Sequence, residues 1–289
     1  MKMNICNELS MRGEEMTLLK VKNVFKQYGA HLVLEAADLE INEGEIVGLV
    51  GRNGCGKTTL MKLILGLASP TKGEIKTTDN VKFGFLLDCK VFEFLSGAEN
   101  LKLIGSYSSV SPSLTRINEL LDFVGLSNDN RKVRDYSFGM KQRLSLALAL
   151  LEEPNFLILD EPFVGLDPVG TQNFIEYIRK LRSELGVTVL VSSHQLSEIE
   201  EICDYFFVIK DRKLYRYSEI SQSTLRIFLA DISSDVRTSL EKLAVVKQNS
   251  VLIANDDKKL SALFELISKE KLMILKITVE KNSKNIFAG

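Results

Sequence analysis

Residues 46–60 read IVGLVGRNGCGKTTL and predict a strand, a glycine-rich loop and a helix in immediate succession. Ile46–Val50 is continuously apolar, which is typical of a strand covered on both faces of a parallel sheet. Residues 57–67 continue as a helix. The loop between them fits the pattern G-x-x-x-x-G-K-[ST], which binds phosphate groups in this strand–loop–helix context. This phosphate loop consists of Gly51, Arg52, Asn53, Gly54, Cys55, Gly56, Lys57, Thr58 and Thr59.

The residue types of the phosphate loop explain how it would bind a nucleotide. Glycines let backbone N–H groups turn inward around phosphate oxygens, and the helix that starts near Lys57 adds the positive end of its dipole. Lys57 is expected to reach the β- and γ-phosphates, and the Thr58 hydroxyl to take one Mg²⁺ ligand position. The alternative is a glycine-rich turn with a surface lysine, but the full motif in this context favours the nucleotide site.

A second apolar strand, FLIL at residues 156–159, ends in two carboxylates, Asp160 and Glu161. This position puts Asp160 at the carboxyl edge of the sheet, beside the phosphate loop, where it can hold Mg²⁺. Glu161 is a candidate for polarising the water that attacks the phosphate. A strand that ends in Asp-Glu is common and, taken alone, is more often structural. Its occurrence downstream of a phosphate loop favours the functional interpretation.

Strand and helix patterns alternate through the middle of the chain, which predicts a parallel α/β sheet. A third buried strand spans residues 187–192, and helical spacing over residues 170–185 separates it from the second strand. Near the start of the chain, residues 18–25 and 32–41 alternate apolar and polar side chains, which predicts half-buried strands. The predicted fold is therefore an α/β core preceded by an antiparallel β subdomain.

Changes in pattern suggest three regions along the chain. Residues 1–16 form an extension that we expect to be disordered. Residues 17–220 form the nucleotide-binding domain, with an inserted helical subdomain at about 93–151. Residues 218–224 look like a linker, and residues 221–289 predict a small α+β accessory domain whose role the sequence does not reveal.

The segment Tyr136–Arg143, YSFGMKQR, opens a long predicted helix at residues 142–151. Together with the phosphate loop and the paired carboxylates, this signature segment resembles that of ATP-binding cassette (ABC) ATPases. The resemblance covers residues 18–210 and implies that Ser137 and Gly139 contact the γ-phosphate of ATP bound to a second subunit. Phe138 and Met140 depart from the usual LSGGQ form. Ser137 also fits a plain helix N-cap, and both roles are compatible.

Three further residues match family positions in the expected order. Asp167, in Gly165-Leu166-Asp167, resembles the loop that couples the two nucleotide sites of a dimer; the alternative is a turn before Pro168. His194 follows a buried strand and resembles the histidine that contacts the γ-phosphate, although a lone histidine at a strand end is often unremarkable. Tyr28 matches the aromatic residue that stacks on adenine, and its alternative is a half-exposed loop tyrosine.

Asp88 is the main departure from the family pattern, because glutamine is usual at its position. A carboxylate can ligate Mg²⁺, but it would repel a γ-phosphate oxygen that a glutamine amide could bond. ATPases of the bacitracin and lantibiotic efflux subgroup often have an acidic residue there. The segment LSGAENL at residues 95–101 also resembles that subgroup, and the same holds for the S-x-G-M-K-Q-R form of the signature segment.

Composition limits the classes of partner. With 37 basic and 38 acidic residues among 289, the formal net charge is −1, which argues against a nucleic-acid-coating or polybasic membrane-surface protein. The four cysteines are scattered without a CxxC, as expected for reduced thiols. The longest charge-free run, residues 103–115, is too short to span a bilayer, and the N-terminus has no apolar signal region, so we expect a cytoplasmic location.

The resemblance implies an Mg²⁺-dependent ATPase subunit that forms a dimer, with a homodimer favoured, and works with a separate integral-membrane permease without binding nucleic acid. In this scheme Lys57, Glu161 and His194 serve catalysis, and Thr58, Asp160 and Asp88 serve the metal. Efflux of a peptide antibiotic follows from the subgroup resemblance alone. The alternatives are an ABC ATPase that acts on DNA or ribosomes, and a GTPase or small-molecule kinase. The single phosphate loop and the lack of a sustained coiled coil or an [NT]-K-x-D motif disfavour these alternatives.

Overall fold

A computed structural model describes residues 16–87, 91–107, 111–217, 224–230, 232, 234–254, 257–270 and 272–280. The chain divides into two compact units, one through Leu214 and one from Tyr215 onward. The predicted extension at residues 1–16 lies outside the described residues, apart from Met16. Among the described residues, each helix is too short or too polar to cross a bilayer.

The elements of the first unit are β1 (Thr17–Tyr28), β2 (His31–Asn42), β3 (Ile46–Val50), α1 (Lys57–Ile64), β4 (Lys72–Thr77), β5 (Phe83–Leu86), α2 (Gly97–Gly105), α3 (Leu114–Phe123), a short 3₁₀ helix (Val133–Asp135), α4 (Phe138–Ala149), β6 (Phe156–Leu159), α5 (Pro168–Leu185), β7 (Thr188–Ser193), α6 (Leu196–Ile202), β8 (Tyr205–Lys210) and β9 (Lys213–Arg216).

A six-stranded sheet in the order β5-β6-β7-β3-β8-β9 forms the centre of this unit. The pairs β5–β6, β6–β7, β7–β3 and β3–β8 are parallel, and every residue of β3, β6 and β7 is buried. This confirms the α/β core with strands covered on both faces. Because the strands are parallel, their carboxyl ends share one edge, where the phosphate loop, Asp160 and His194 follow β3, β6 and β7.

A separate three-stranded antiparallel sheet, in the order β2-β1-β4, confirms the predicted β subdomain. The sequence pattern did not predict β4 or β5. In β4, KGEIKT, Ile75 is the single apolar side chain and is half-buried, so the sequence has no apolar–polar alternation to indicate a strand. The strand β5 has four residues, too few to show a period.

Helices α2, α3 and α4 lie within the segment predicted to be helical. The prediction of a helix at residues 142–151 was wrong at its start, since α4 begins at Phe138 and ends at Ala149. The Ser137 side chain accepts a hydrogen bond from Met140 N at 3.2 Å and caps this helix. Gly139 disfavours helix by propensity, but the cap and the packing of the buried face outweigh that cost.

The second unit contains β10 (Thr224–Leu229), α7 (Ser234–Glu241), β11 (Val245–Lys247), β12 (Ser250–Ala254), α8 (Asp257–Lys269) and β13 (Ile274–Glu280). Its antiparallel sheet has the order β11-β12-β10-β13, the arrangement of a split β-α-β-β-α-β unit. The linker predicted at residues 218–224 overlaps β10, which begins at Thr224. The hydrophobic core of the second unit comprises Ile227, Leu229, Leu240, Val251, Ile253, Leu263 and Ile267.

Candidate functional site

The phosphate loop owes its shape to glycines in conformations that other residues avoid. Gly54 and Gly56 have φ values of +79° and +117°. A Cβ atom on Gly56 would lie 3.1 Å from Leu34 Cδ2 and 3.2 Å from Val33 Cγ1, so the neighbouring strand leaves little space for a side chain. The loop therefore turns directly from β3 into α1, whose N-cap residue is Gly56.

Lys57 is anchored inside this loop, with 5% of its surface exposed. Its Nζ atom donates hydrogen bonds to the carbonyl oxygens of Gly51 at 2.7 Å and Arg52 at 3.3 Å, and it lies 2.9 Å from Glu161 Oε1. The ammonium group is thus held between the phosphate loop and the carboxylate that follows β6. This places a fixed positive charge where the loop amides would face an anion.

Thr58 and Asp160 meet at the sheet edge, as the sequence predicted. Thr58 Oγ1 donates to Asp160 Oδ2 at 2.5 Å, although the two residues lie 102 positions apart. A hydroxyl and a carboxylate are the oxygen ligands that Mg²⁺ prefers, so these residues fit the metal. The described residues contain no cluster of three or more His, Cys, Asp or Glu side chains suited to a metal ion. The pair would therefore need phosphate oxygens and water to complete the coordination.

Ser192 is a site residue that the sequence analysis missed. It is fully buried; its Oγ atom donates to Asp160 Oδ1 at 2.6 Å and accepts from Glu161 N at 2.8 Å. One hydroxyl thus orients the Asp160 carboxylate and the backbone of the next residue. The signal available was the Ser-Ser-His run after a buried strand, but only the register of β6 beside β7 gives the serine its partners.

Glu161 stands at the centre of the site in an unusual backbone conformation, with φ at +50°. Its Oε1 atom faces Lys57 Nζ, and its Oε2 atom accepts from the His194 ring at 2.8 Å. Burial opposes ionisation of this carboxyl, but the hydrogen bonds from His194 and Lys57 outweigh burial and lower its pKa below the usual value of 4.5. Glu161 is therefore an ionised acceptor at neutral pH.

His194 comes directly after β7 and makes two contacts with the same carboxylate oxygen. Its ring Nδ1 donates to Glu161 Oε2 at 2.8 Å, and its backbone N–H lies 3.3 Å from the same atom. Because a carboxylate only accepts, Nδ1 carries the proton, and Nε2 is left for a second partner. The structure thus brings Lys57, Glu161 and His194 into one contiguous group.

A cavity of about 420 Å³ is lined by Ser137, Gly139 and Asp167, and also by Phe138 and Gly165. Asp167 caps α5, since its Oδ1 atom accepts from the N–H of Gly170 at 2.6 Å. Gly165 has a φ of +78°, and a Cβ atom there would lie 2.8 Å from the Phe138 ring. Although residues 51–59 are fully described, none of them lines this cavity. The structure therefore does not bring the signature segment to the same chain's phosphate loop.

The remaining predicted residues differ in exposure, and one of them lies outside the described residues. Tyr28 is 50% exposed, and Lys26 Nζ lies 4.6 Å above its ring centre. Arg52 and Asn53 are exposed, whereas Cys55 is half-buried, and burial raises the pKa of its thiol. Thr59 is also half-buried. Asp88 lies outside the described residues, so its role stays a prediction.

The sequence matches a known protein family and is similar to several characterised proteins. The family model described as "ABC transporter" matches residues 34–164. The bacitracin transport ATP-binding protein BcrA of Enterococcus faecalis is 40% identical over 71% of this chain and 70% of its own length. The lantibiotic transport ATP-binding protein SrtF of Streptococcus pyogenes is 39% identical over 71% of this chain and 93% of its own length.

A solved structure has the same core fold. It is the dimeric post-hydrolysis state of the ATP-binding cassette MJ0796 bound to ADP and Pi, and it matches with a TM-score of 0.61 and 27% identity. The match covers 69% of this chain and 97% of the cassette.

Proposed function

Because the chain belongs to the ABC transporter family as an ATP-binding subunit that hydrolyses ATP, we propose that it powers a separate membrane permease that exports a peptide antibiotic or similar amphipathic compound. The bacitracin and lantibiotic transport proteins among its relatives support this substrate class. The observation that carries the catalytic part is the contiguous group of Lys57, Glu161 and His194 beside Thr58 and Asp160.

In the proposed mechanism, the amides of the phosphate loop and Lys57 bind the β- and γ-phosphates of ATP. Thr58 and Asp160 would hold Mg²⁺, which would supply positive charge beside the phosphates. The incoming phosphate competes with Glu161 for the Lys57 ammonium group. Glu161 is ionised and accepts a hydrogen bond from the attacking water, which orients that water for in-line displacement.

In this mechanism His194 lies between the Glu161 carboxylate and the γ-phosphate of ATP. Its Nδ1 proton bonds Glu161, so its Nε2 atom is available to the γ-phosphate. Nε2 can bond an oxygen of the γ-phosphate only as a donor, which requires a proton on both ring nitrogens, and the ring would then add positive charge beside the transferred group. His194 would thereby couple the position of the phosphate to that of the water-orienting carboxylate.

We propose that a second copy of the chain completes the site. Ser137 and Gly139 line a cavity that excludes the chain's own phosphate loop, so their amide and hydroxyl donors are free to meet a nucleotide on another subunit. Both groups stand at the N-terminal end of α4, where donors and the helix dipole favour anions. ATP would then hold two copies head to tail, and hydrolysis would release them.

A groove of about 820 Å³ is the proposed contact for the permease. It runs from Thr58 and Asp160 to Phe85, Ile104 and Tyr107. Phe85 and Tyr107 are 49% and 84% exposed, and large exposed aromatic side chains beside a groove are typical of an interaction surface. A permease segment seated there would lie next to the metal-site residues. We place the chain at the inner face of the cell membrane, attached through this permease.

Purification of the tagged full chain from membranes of its own cell tests the proposal. We expect an integral-membrane permease to copurify, and cells that express both proteins to tolerate more bacitracin or lantibiotic than cells with Lys57→Ala. Copurification with ribosomes or DNA instead of a membrane protein would overturn the transport assignment. A permease without changed tolerance to either compound would overturn only the substrate class.

A further inference from the structure

Ser193 and Glu198 form a hydrogen-bonded pair next to His194 that has no part in the chemistry described above. Ser193 is the last residue of β7 and is fully buried, whereas Glu198 lies in the first turn of α6. Ser193 Oγ donates to Glu198 Oε2 at 2.5 Å. The pair therefore ties the end of the strand to the start of the helix, across the turn that carries His194.

The same serine oxygen also accepts a hydrogen bond from the backbone N–H of Gln195 at 2.9 Å. Gln195 is the N-cap residue of α6, and its own side chain makes no capping bond. Ser193 thus satisfies the backbone N–H of the residue that precedes the first turn of α6. As a result, the residues on both sides of His194 are joined through a single hydroxyl group, which is also bonded to Glu198.

The His194 backbone must be held accurately because two of its groups contact the same oxygen of Glu161. The ring Nδ1 lies 2.8 Å and the backbone N 3.3 Å from Glu161 Oε2. We propose that Ser193 and Glu198 are positioning residues that hold this turn so that the His194 imidazole stays aligned with Glu161 during ATP hydrolysis. The inference rests on the proposed role of His194. A displacement of about 1 Å at such a group costs up to about a hundredfold in rate.

Steady-state ATPase kinetics of full-length variants test this inference. Ser193→Ala removes the bridging hydroxyl, and Glu198→Leu removes its acceptor; each is expected to lower kcat about tenfold and to leave KM for ATP within about twofold. Ser193→Thr and Glu198→Gln keep a hydroxyl and an acceptor oxygen and should retain most of the activity. Ser250→Ala is the matched control, since Ser250 is also a buried serine with a local bond, to Lys247 O, in the other unit.

A double-mutant comparison separates positioning from a general structural effect. In a His194→Ala background, Ser193→Ala should lower kcat less than twofold further, because the group that it positions is gone. If Ser193→Ala lowers kcat by the same factor in the wild-type protein and in the His194→Ala background, the inference is wrong. It is also wrong if Ser193→Ala and Glu198→Leu both keep the wild-type kcat. If melting curves show that Ser193→Ala does not fold, Glu198→Leu decides by the same criteria.

The controls also separate this inference from the proposals on which it depends. Wild-type protein that does not hydrolyse ATP would contradict the proposed function. His194→Ala with wild-type kcat would contradict the proposed role of His194 and this inference with it. Active wild-type protein, an impaired His194→Ala and a fully active Ser193→Ala would overturn this inference alone.

Discussion

Replacing Ser192 by alanine tests the proposed Mg²⁺ site through a buried side chain that is bonded to Asp160 and to the backbone of Glu161. The substitution removes the bond from Ser192 Oγ to Asp160 Oδ1 and the acceptor of Glu161 N–H. A hydrogen bond to a charged group contributes about 1.5–3 kcal/mol, and at about 1.4 kcal/mol per tenfold change this corresponds to roughly 10- to 150-fold in a binding constant. Residues that support metal ligands typically change metal affinity by about 10- to 100-fold.

We therefore expect Ser192→Ala to raise the Mg²⁺ concentration needed for half-maximal ATPase activity by at least about tenfold. Glu161 contributes a second effect, because its φ of +50° is held in part by this hydroxyl, so maximal activity should fall as well. The assay is ATPase rate against free Mg²⁺ at fixed ATP, with Ser250→Ala as the control. An unchanged Mg²⁺ dependence in folded Ser192→Ala would refute the argument that this serine orients Asp160.

Three further substitutions address the nucleotide and dimer sites. Lys57→Ala removes the buried ammonium group and should lower the ATPase rate by about a hundredfold or more; near wild-type turnover would remove the phosphate-loop assignment. Glu161→Gln should bind ATP but stall, giving an ATP-dependent dimer by light scattering, and normal hydrolysis by a monomer would contradict its role. Ser137→Arg should block hydrolysis by at least about tenfold while fluorescent ATP-analogue binding stays intact, because the arginine would obstruct the partner's site; lost binding would argue against a contribution in trans.

Local sequence was sufficient for the parts of the site that lie within one segment. The phosphate loop, β3 and the strand that ends in Asp160 are each defined by consecutive residues, so pattern and position predicted them. The bond between Thr58 and Asp160 followed because parallel strands end at one edge. The resemblance to ABC ATPases indicated Ser137, Gly139 and Asp167 as site residues. Without that resemblance, the sequence around them is equally typical of an ordinary turn or helix cap.

The sequence could not predict features that depend on packing between distant segments. Ser192 receives its role from Asp160 and Glu161, more than 30 residues away, through the pairing of β6 with β7. The strand β4 lacks alternation because Ile75 is its single apolar side chain, and it is defined by its pairing with β1. The start of α4 was misplaced because the helix propensity of Gly139 is low, whereas the cap by Ser137 and burial of one face determine the observed boundary.

The parallel pairing of the central strands limits which parts of the chain can move during the ATPase cycle. Val50 lies opposite Ser193, and Leu159 lies opposite Val191, so three neighbouring backbones are joined by continuous ladders just before the reactive groups. Nucleotide-driven motion cannot slide one of these strands without breaking its ladder to the next. Nucleotide-driven motion must therefore take place in segments outside these ladders, whereas β3, β6 and β7 stay fixed relative to one another.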